Sequence, residues 1–259
     1  KEIDPNIKVD MPPYLNLWKN GKVFPLSGFS NSNTIHCNEN GYYTYYKSDR
    51  YGFNNPDTVW NENNIEYYIV GDSFAHGSCV QENFRIASQL RSLAKKSVIN
   101  LGYGGNGPLI QYASLREYLR GNVKKIIWLY YEENDLDNLY GELKDNTLIK
   151  YLDDPNFSQN LIENQSLVDA ILYERLKEAK EMTKSKIDHK DNFFSNFLNI
   201  LKLYELRRSF RKTNDPISEF EKILRLTKNL SSTTNTQLYF VYLPEYSRYV
   251  NSKFSNKNY

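Results

Sequence analysis

The pattern of apolar and polar positions changes character at Glu66. Before it, residues 1 to about 60 are rich in Pro, Asn, Gly and Tyr and show no helical periodicity. GYYTYYKSD (41–49) has the β-rich composition of an extended segment, and RYGFNNPD (50–57) is turn chemistry. The segment 1–65 is therefore expected to wrap over a core rather than to form a core of its own. From Glu66 onward, short apolar runs alternate with stretches of helical spacing. EYYIVG (66–71), SVINLG (97–102), KKIIWLYY (124–131) and QLYFVYLP (237–244) are predicted core strands. QENFRIASQLRSLAK (81–95), PLIQYASLREYL (108–119, with Pro near its start) and ISEFEKILRLTKNL (217–230) are predicted helices between them.

Strand, helix, strand, helix, strand at this spacing predicts βαβ units and a parallel sheet. The fold class is α/β, a three-layer α/β/α sandwich with an N-terminal wrap. Residues 66–259 form the α/β domain, interrupted by a helical insertion at about 136–215. Within that insertion SLVDAILYERLKEAKEM (166–182) and FFSNFLNILKLYELRRSF (193–210) are amphipathic, and HKDN (189–192) between them reads as an exposed turn.

Composition narrows the function. Lys+Arg at 33 against Asp+Glu at 31 leaves a net charge of +2, which gives no argument for a nucleic-acid partner. The 22 tyrosines beside 13 Phe and 3 Trp suit either sugar-facing surfaces or an ordinary core. No apolar run approaches the length of a membrane span, and the chain opens Lys-Glu-Ile, so the expectation is a form whose export signal or anchor has been removed. Cys37 and Cys79 are the two cysteines, the three histidines are scattered, and no CxxC occurs, so the spacing offers no zinc site.

In an open parallel sheet, ligands bind beyond the carboxyl ends of the strands. Three loops belong there: GDSFAHG (71–77), GYGGNGP (102–108) and EENDLDN (132–138). Ser73 sits where a strand-to-helix turn exposes a hydroxyl at a helix N-terminus, which suits a nucleophile; Ser is also a favoured helix N-cap. GYGGNG is either a flexible turn or a backbone donor site, and it departs from the dinucleotide fingerprint G-x-G-x-x-G. Asn134 is either an amide donor to an oxyanion or the start of an Asx-turn. Glu132 and Glu133 add charge, but neighbours on an extended segment point opposite ways.

Taken together, the three loops resemble the SGNH (GDSL) family of serine hydrolases. GDSF (71–74) resembles the first block, with Ser73 as nucleophile; NLGYGG (100–105) resembles the second, with Gly105 as the oxyanion glycine; EEND (132–135) matches the third through Asn134, with Glu132 in place of the usual glycine. The lead-in CNENG…YKSDRYGFNNPD (37–57) resembles a subgroup associated with cell-surface polysaccharide genes, in which a membrane anchor commonly precedes this segment. The resemblance implies a serine esterase or O-acyltransferase acting on acyl esters, those of carbohydrate first. It implies an exported or membrane-anchored protein on the extracytoplasmic side and no metal or organic cofactor. It also favours a Cys37–Cys79 disulfide over two buried thiols.

One element of the family pattern is missing. The fourth block, Asp-x-x-His, has no counterpart in the sequence. His36 lies in the lead-in, His189 follows Asp188 inside the helical insertion, and His76, three residues after Ser73, is a weak candidate base. The expectation is a chain truncated before a fifth strand that would carry the base. The alternative is a non-catalytic glycan-binding or scaffold module with a degenerate pocket.

Overall fold

The computed structural model describes residues 7–10, 23–37, 41–188 and 216–250. The lead-in contributes β1 (Lys8–Val9), β2 (Asn33–Cys37) and β3 (Thr44–Lys47), a small sheet in the order β1-β2-β3, with β1 parallel and β3 antiparallel to β2. The second sheet is built from β4 (Asn64–Val70), β5 (Val98–Asn100), β6 (Asn122–Tyr131) and β7 (Gln237–Leu243) in the order β5-β4-β6-β7, all parallel. The register aligns the ends that matter. Ile69 pairs with Asn100, the last residue of β5, and with Ile127 of β6, so the loops after β4 and β5 leave the sheet side by side.

The helices are α1 (Ser73–His76), α2 (Ile86–Ala94), α3 (Pro108–Tyr118), α4 (Asp135–Glu142), α5 (Asn146–Asp153), α6 (Gln165–Asp188), α7 (Ile217–Thr233) and α8 (Ser247–Val250). Strand side chains alternate between faces. Tyr68, Val70, Ile126, Trp128 and Tyr130 pack in one cluster with residues of α3, α4, α5 and α7, while Ile69, Val98 and Leu129 pack with Ala75 of α1 and Ala87 of α2. This mixed α/β arrangement is compatible with an α/β sandwich. The helix 193–210 and the turn 189–192 lie outside the described residues.

Two elements differ from the sequence expectation. The segment 81–95 is not one helix: a 3-10 turn over Glu82–Phe84 is followed by extended backbone at Arg85 and then α2. The cause is Arg85, whose buried guanidinium donates to Val80 O, Asn54 Oδ1 and Tyr45 O and holds the chain out of helical register. Among the described residues β7 is the edge strand of the sheet rather than a covered core strand, with Tyr239, Phe240, Val241 and Tyr242 all exposed by more than a third.

The lead-in joins the same core. Leu26, Phe29, Phe53 and Trp60 pack in the large cluster with Tyr68 and Tyr118. Its SDRYGFNNPD stretch folds around Asp49, fully buried, which accepts from Tyr51 N and Phe53 N at 2.9 Å, Asn55 Nδ2 at 2.8 Å and Trp60 Nε1 at 2.7 Å. Helix α3 is buried nearly all round, and its orphan N-terminal amides are held by a carboxylate from α4. Glu142 accepts from Gly107 N at 2.6 Å and Leu109 N at 3.0 Å, and burial pushes it up to about 8.

Candidate functional site

The turn after β4 depends on Gly71. Its φ is +155°, and a Cβ there would stand 2.8 Å from Leu129 O. The next residue, Asp72, is fully buried and is the N-cap of α1, its Oδ1 accepting from Phe74 N at 2.9 Å. Ser73 is thus the first residue inside the helix and not the cap. Its half-buried Oγ lies 3.5 Å from Asp72 Oδ2, a loose contact that leaves the hydroxyl at the helix N-terminus.

Asn134 precedes α4 but does not cap it, and its buried Oδ1 has no hydrogen-bond partner, so it forms no Asx-turn. Its amide instead donates to the Asp72 carboxylate. Ser73 and Asn134 therefore meet at one carboxylate. Burial raises Asp72 above the ordinary carboxylate range, against the bonds from Phe74 N, Asn134 and Ser73. Burial, then the charge of Asp72, raises the adjacent buried Asp135 further, although Tyr131 N donates to it at 2.8 Å.

The glycine loop is wound against α1. A Cβ on Gly102 would lie 2.4 Å from Ala75 Cβ and 2.7 Å from His76 N. Asn100, buried, donates from Nδ2 to Ala75 O at 2.7 Å and accepts from Gly102 N at 2.9 Å. The Tyr103 ring stacks on His76 at 4.8 Å, and Gly104 N donates to His76 Nδ1 at 3.2 Å. Gly105, at φ +82°, follows directly. Beside Ser73, the exposed Phe74 ring packs on Tyr131 at 4.5 Å, forming an aromatic wall.

Glu132 and Glu133 do not form a pair. Glu133 accepts from Tyr131 OH at 2.5 Å. Glu132, buried, accepts from Glu245 N at 2.9 Å and from Arg248 Nε at 2.6 Å, tying α8 to the end of β6. Burial opposes ionisation there, but Arg248, the Glu245 amide and Tyr242 together outweigh it and hold Glu132 down at about 2.

The histidines correct two expectations. His76 does not serve Ser73: it is fully buried, its Nδ1 is taken by Gly104 N, and its Nε2 has no hydrogen-bond partner. Nor are His36 and His76 scattered in space. His36 and His76 lie ring against ring at 4.1 Å beside Asp10. Burial lowers His36 to about 4 and His76 well below the ordinary imidazole value, so both are neutral near pH 7. His189 lies outside the described residues. Next to this cluster, Cys37 and Cys79 form a disulfide with Cα atoms 5.2 Å apart, which is consistent with an extracytoplasmic location. No helix among the described residues is long and apolar enough to cross a membrane.

No family model, curated protein or solved structure matches this chain. The likeness to SGNH hydrolases therefore rests on the three sequence motifs alone. Sequence reasoning passed over Asp72, Asn100, Asn54 and Asn55. Asp72 was open to reading, since Asp directly before an apolar-periodic segment is an N-cap signal. Asn54 donates to His76 O at 3.0 Å, and Asn55 exchanges bonds with Asn100 O at 2.9 Å and Asn100 N at 2.8 Å. Those contacts are long-range, and no local pattern announces them.

Proposed function

We propose that this chain carries the nucleophile and oxyanion-binding loops of a serine esterase or O-acyltransferase of SGNH type, acting on acyl esters of carbohydrate. The observation that carries the reading is the capping of α1 by Asp72, which relieves Ser73 of the cap role and leaves its hydroxyl at the helix N-terminus next to Asn134. In this reading Ser73 Oγ attacks the ester carbonyl, its proton passes to a base, and the C–O bond to the alcohol breaks to leave an acyl-enzyme. The backbone amides of Ser73 and Gly105 and the second N–H of Asn134 hold the tetrahedral oxyanion, assisted by the α1 N-terminus. Water or a sugar hydroxyl then takes the acyl group. Phe74 and Tyr131 offer an apolar face for the acyl chain or a sugar ring.

Neither described imidazole accepts from Ser73, and that observation favours a second reading, a glycan-binding module that keeps the pocket without the chemistry. Incubation with an aryl acetate followed by intact-mass and peptide analysis separates the two. Acetyl on Ser73, absent from Ser73→Ala, supports the hydrolase; glycan binding by a chain that is never acylated supports the module.

A further inference from the structure

We propose that Asp10, His36 and His76 form a binding site for a first-row divalent metal ion, Zn2+ in preference to Mg2+ or Ca2+. One ligand atom from each residue lies within 4.8 Å of the others. His36 Nε2 stands 3.1 Å and His76 Nδ1 4.0 Å from the same oxygen, Asp10 Oδ2. Zinc bonds of about 2.0–2.1 Å set at the tetrahedral angle place ligand atoms about 3.3 Å apart, so the widest separation, at most 4.8 Å, needs to close by up to about 1.5 Å. Two imidazole nitrogens and one carboxylate form a donor set that selects zinc-like ions over hard, oxygen-preferring ones.

The surroundings are those of a built site. The side chains of His36 and His76 are 4% and 0% exposed and that of Asp10 11%, so the cluster is nearly dry and opens only at the carboxylate. Asp10 is oriented by Tyr46 OH, which donates to its other oxygen at 2.9 Å, and by Tyr103 OH, which leaves Oδ2 turned to the histidines. Ser78 Oγ lies 2.5 Å from His36 Nε2, a hydrogen bond that coordination through that nitrogen replaces. Coordination through His76 Nδ1 takes over the lone pair that accepts from Gly104 N, so loading also moves the glycine loop. Among the described residues the opposing charge is Arg85, whose field reaches all three groups; its hydrogen bonds go to Val80, Asn54 and Tyr45. It weakens the site and does not block it.

This inference is independent of the acyl chemistry and is tested without it. The full chain, kept oxidised so that neither cysteine offers a thiolate, is titrated with ZnSO4 by calorimetry and with CoCl2 by visible absorption. The expected result is one ion per chain, tetrahedral-type Co2+ bands and a rise in Tm on zinc addition. His36→Ala and Asp10→Asn, checked for folding by circular dichroism, should each weaken zinc by at least about a hundredfold. His189→Ala should bind as the parent does. Failure of the folded parent to take up zinc overturns the site, and so does uptake that survives in Asp10→Asn and His36→Ala or disappears in His189→Ala.

Discussion

Replacing Glu132 by Gln tests whether the carboxylate just past the end of β6 acts as a clamp. Glu132 is 1% exposed and receives Arg248 and the Glu245 amide, so α8 and the end of β7 are held to the end of β6 through this one carboxylate. Its pKa falls from 4.5 to about 2 on folding. A depressed carboxylate contributes stability that is present above its unfolded pKa and lost as pH falls through the folded one. At about 1.4 kcal/mol per unit, the shift sets a ceiling of about 3 kcal/mol. Arg248 is 31% exposed, and solvent screening brings the expected value to about 1–2 kcal/mol. Urea denaturation of the parent and of Glu132→Gln, followed by Trp fluorescence from neutral pH down to about pH 2, should show that difference at neutral pH and convergence at the acid end. Hydrogen exchange in β7 and α8 should rise in the variant. A difference of the same size at both ends of the pH range would mean that the loss is packing and not charge, and would refute the reasoning.

Asp49→Ala strips the acceptor from four buried donors and should cost about 3–5 kcal/mol by urea denaturation, with Trp60 as a local reporter; a loss below about 1 kcal/mol would show that water replaces the carboxylate. Cys37→Ser/Cys79→Ser opens a loop of 42 residues, and the loop-entropy relation gives a loss of about 4 kcal/mol, measurable as a lower urea midpoint than that of the oxidised parent. Gly102→Ala drives a methyl against Ala75 and the His76 backbone and should cost about 1–3 kcal/mol; unchanged stability would mean that α1 shifts freely. Ser73→Ala should leave the urea midpoint within about 0.5 kcal/mol of the parent and abolish acyl labelling; labelling that persists elsewhere would remove Ser73 from the nucleophile role.

The parts of the fold that local physics decides were legible. The apolar runs at 66–71 and 124–131 became β4 and β6, and Pro108 became the first residue of α3, because strand composition and the fixed φ of proline act over a few residues. The three strand-end loops were legible for the same reason: glycine and Asp-Ser or Asn-Asp pairs mark turns where they occur. What failed was tertiary. The break at Arg85 is caused by partners as distant as Tyr45, and the exposure of β7 follows from its place at the sheet edge, which its apolar sequence does not encode. The pairing of His36 with His76 needs two segments that approach only when β2 docks beside α1, so three histidines that look scattered in the chain conceal a cluster.

That docking bears on how the candidate site is held. Its loops carry Gly71, Gly77, Gly102 and Gly105, residues that lose the most conformational freedom on folding and bring no side chain to offset it. The sheet fixes where these loops start, not where they lead. The bonds that fix their path come from the lead-in: Asn54 on His76 O, Asn55 on both polar groups of the Asn100 backbone, and the Cys37–Cys79 bridge just beyond α1. Asp49 in turn holds Asn55 in place, so one buried carboxylate in the lead-in reaches the glycine loop through Asn55, then Asn100, whose side chain accepts from Gly102 N. The lead-in around Cys37, Asp49, Asn54 and Asn55, which composition alone marks as a covering segment, is therefore part of the frame that holds α1 and the glycine loop. Loosening that frame at Asp49 should disturb the glycine loop before it disturbs the sheet, whose ladder from β4 to β6 runs through backbone bonds that the lead-in does not supply.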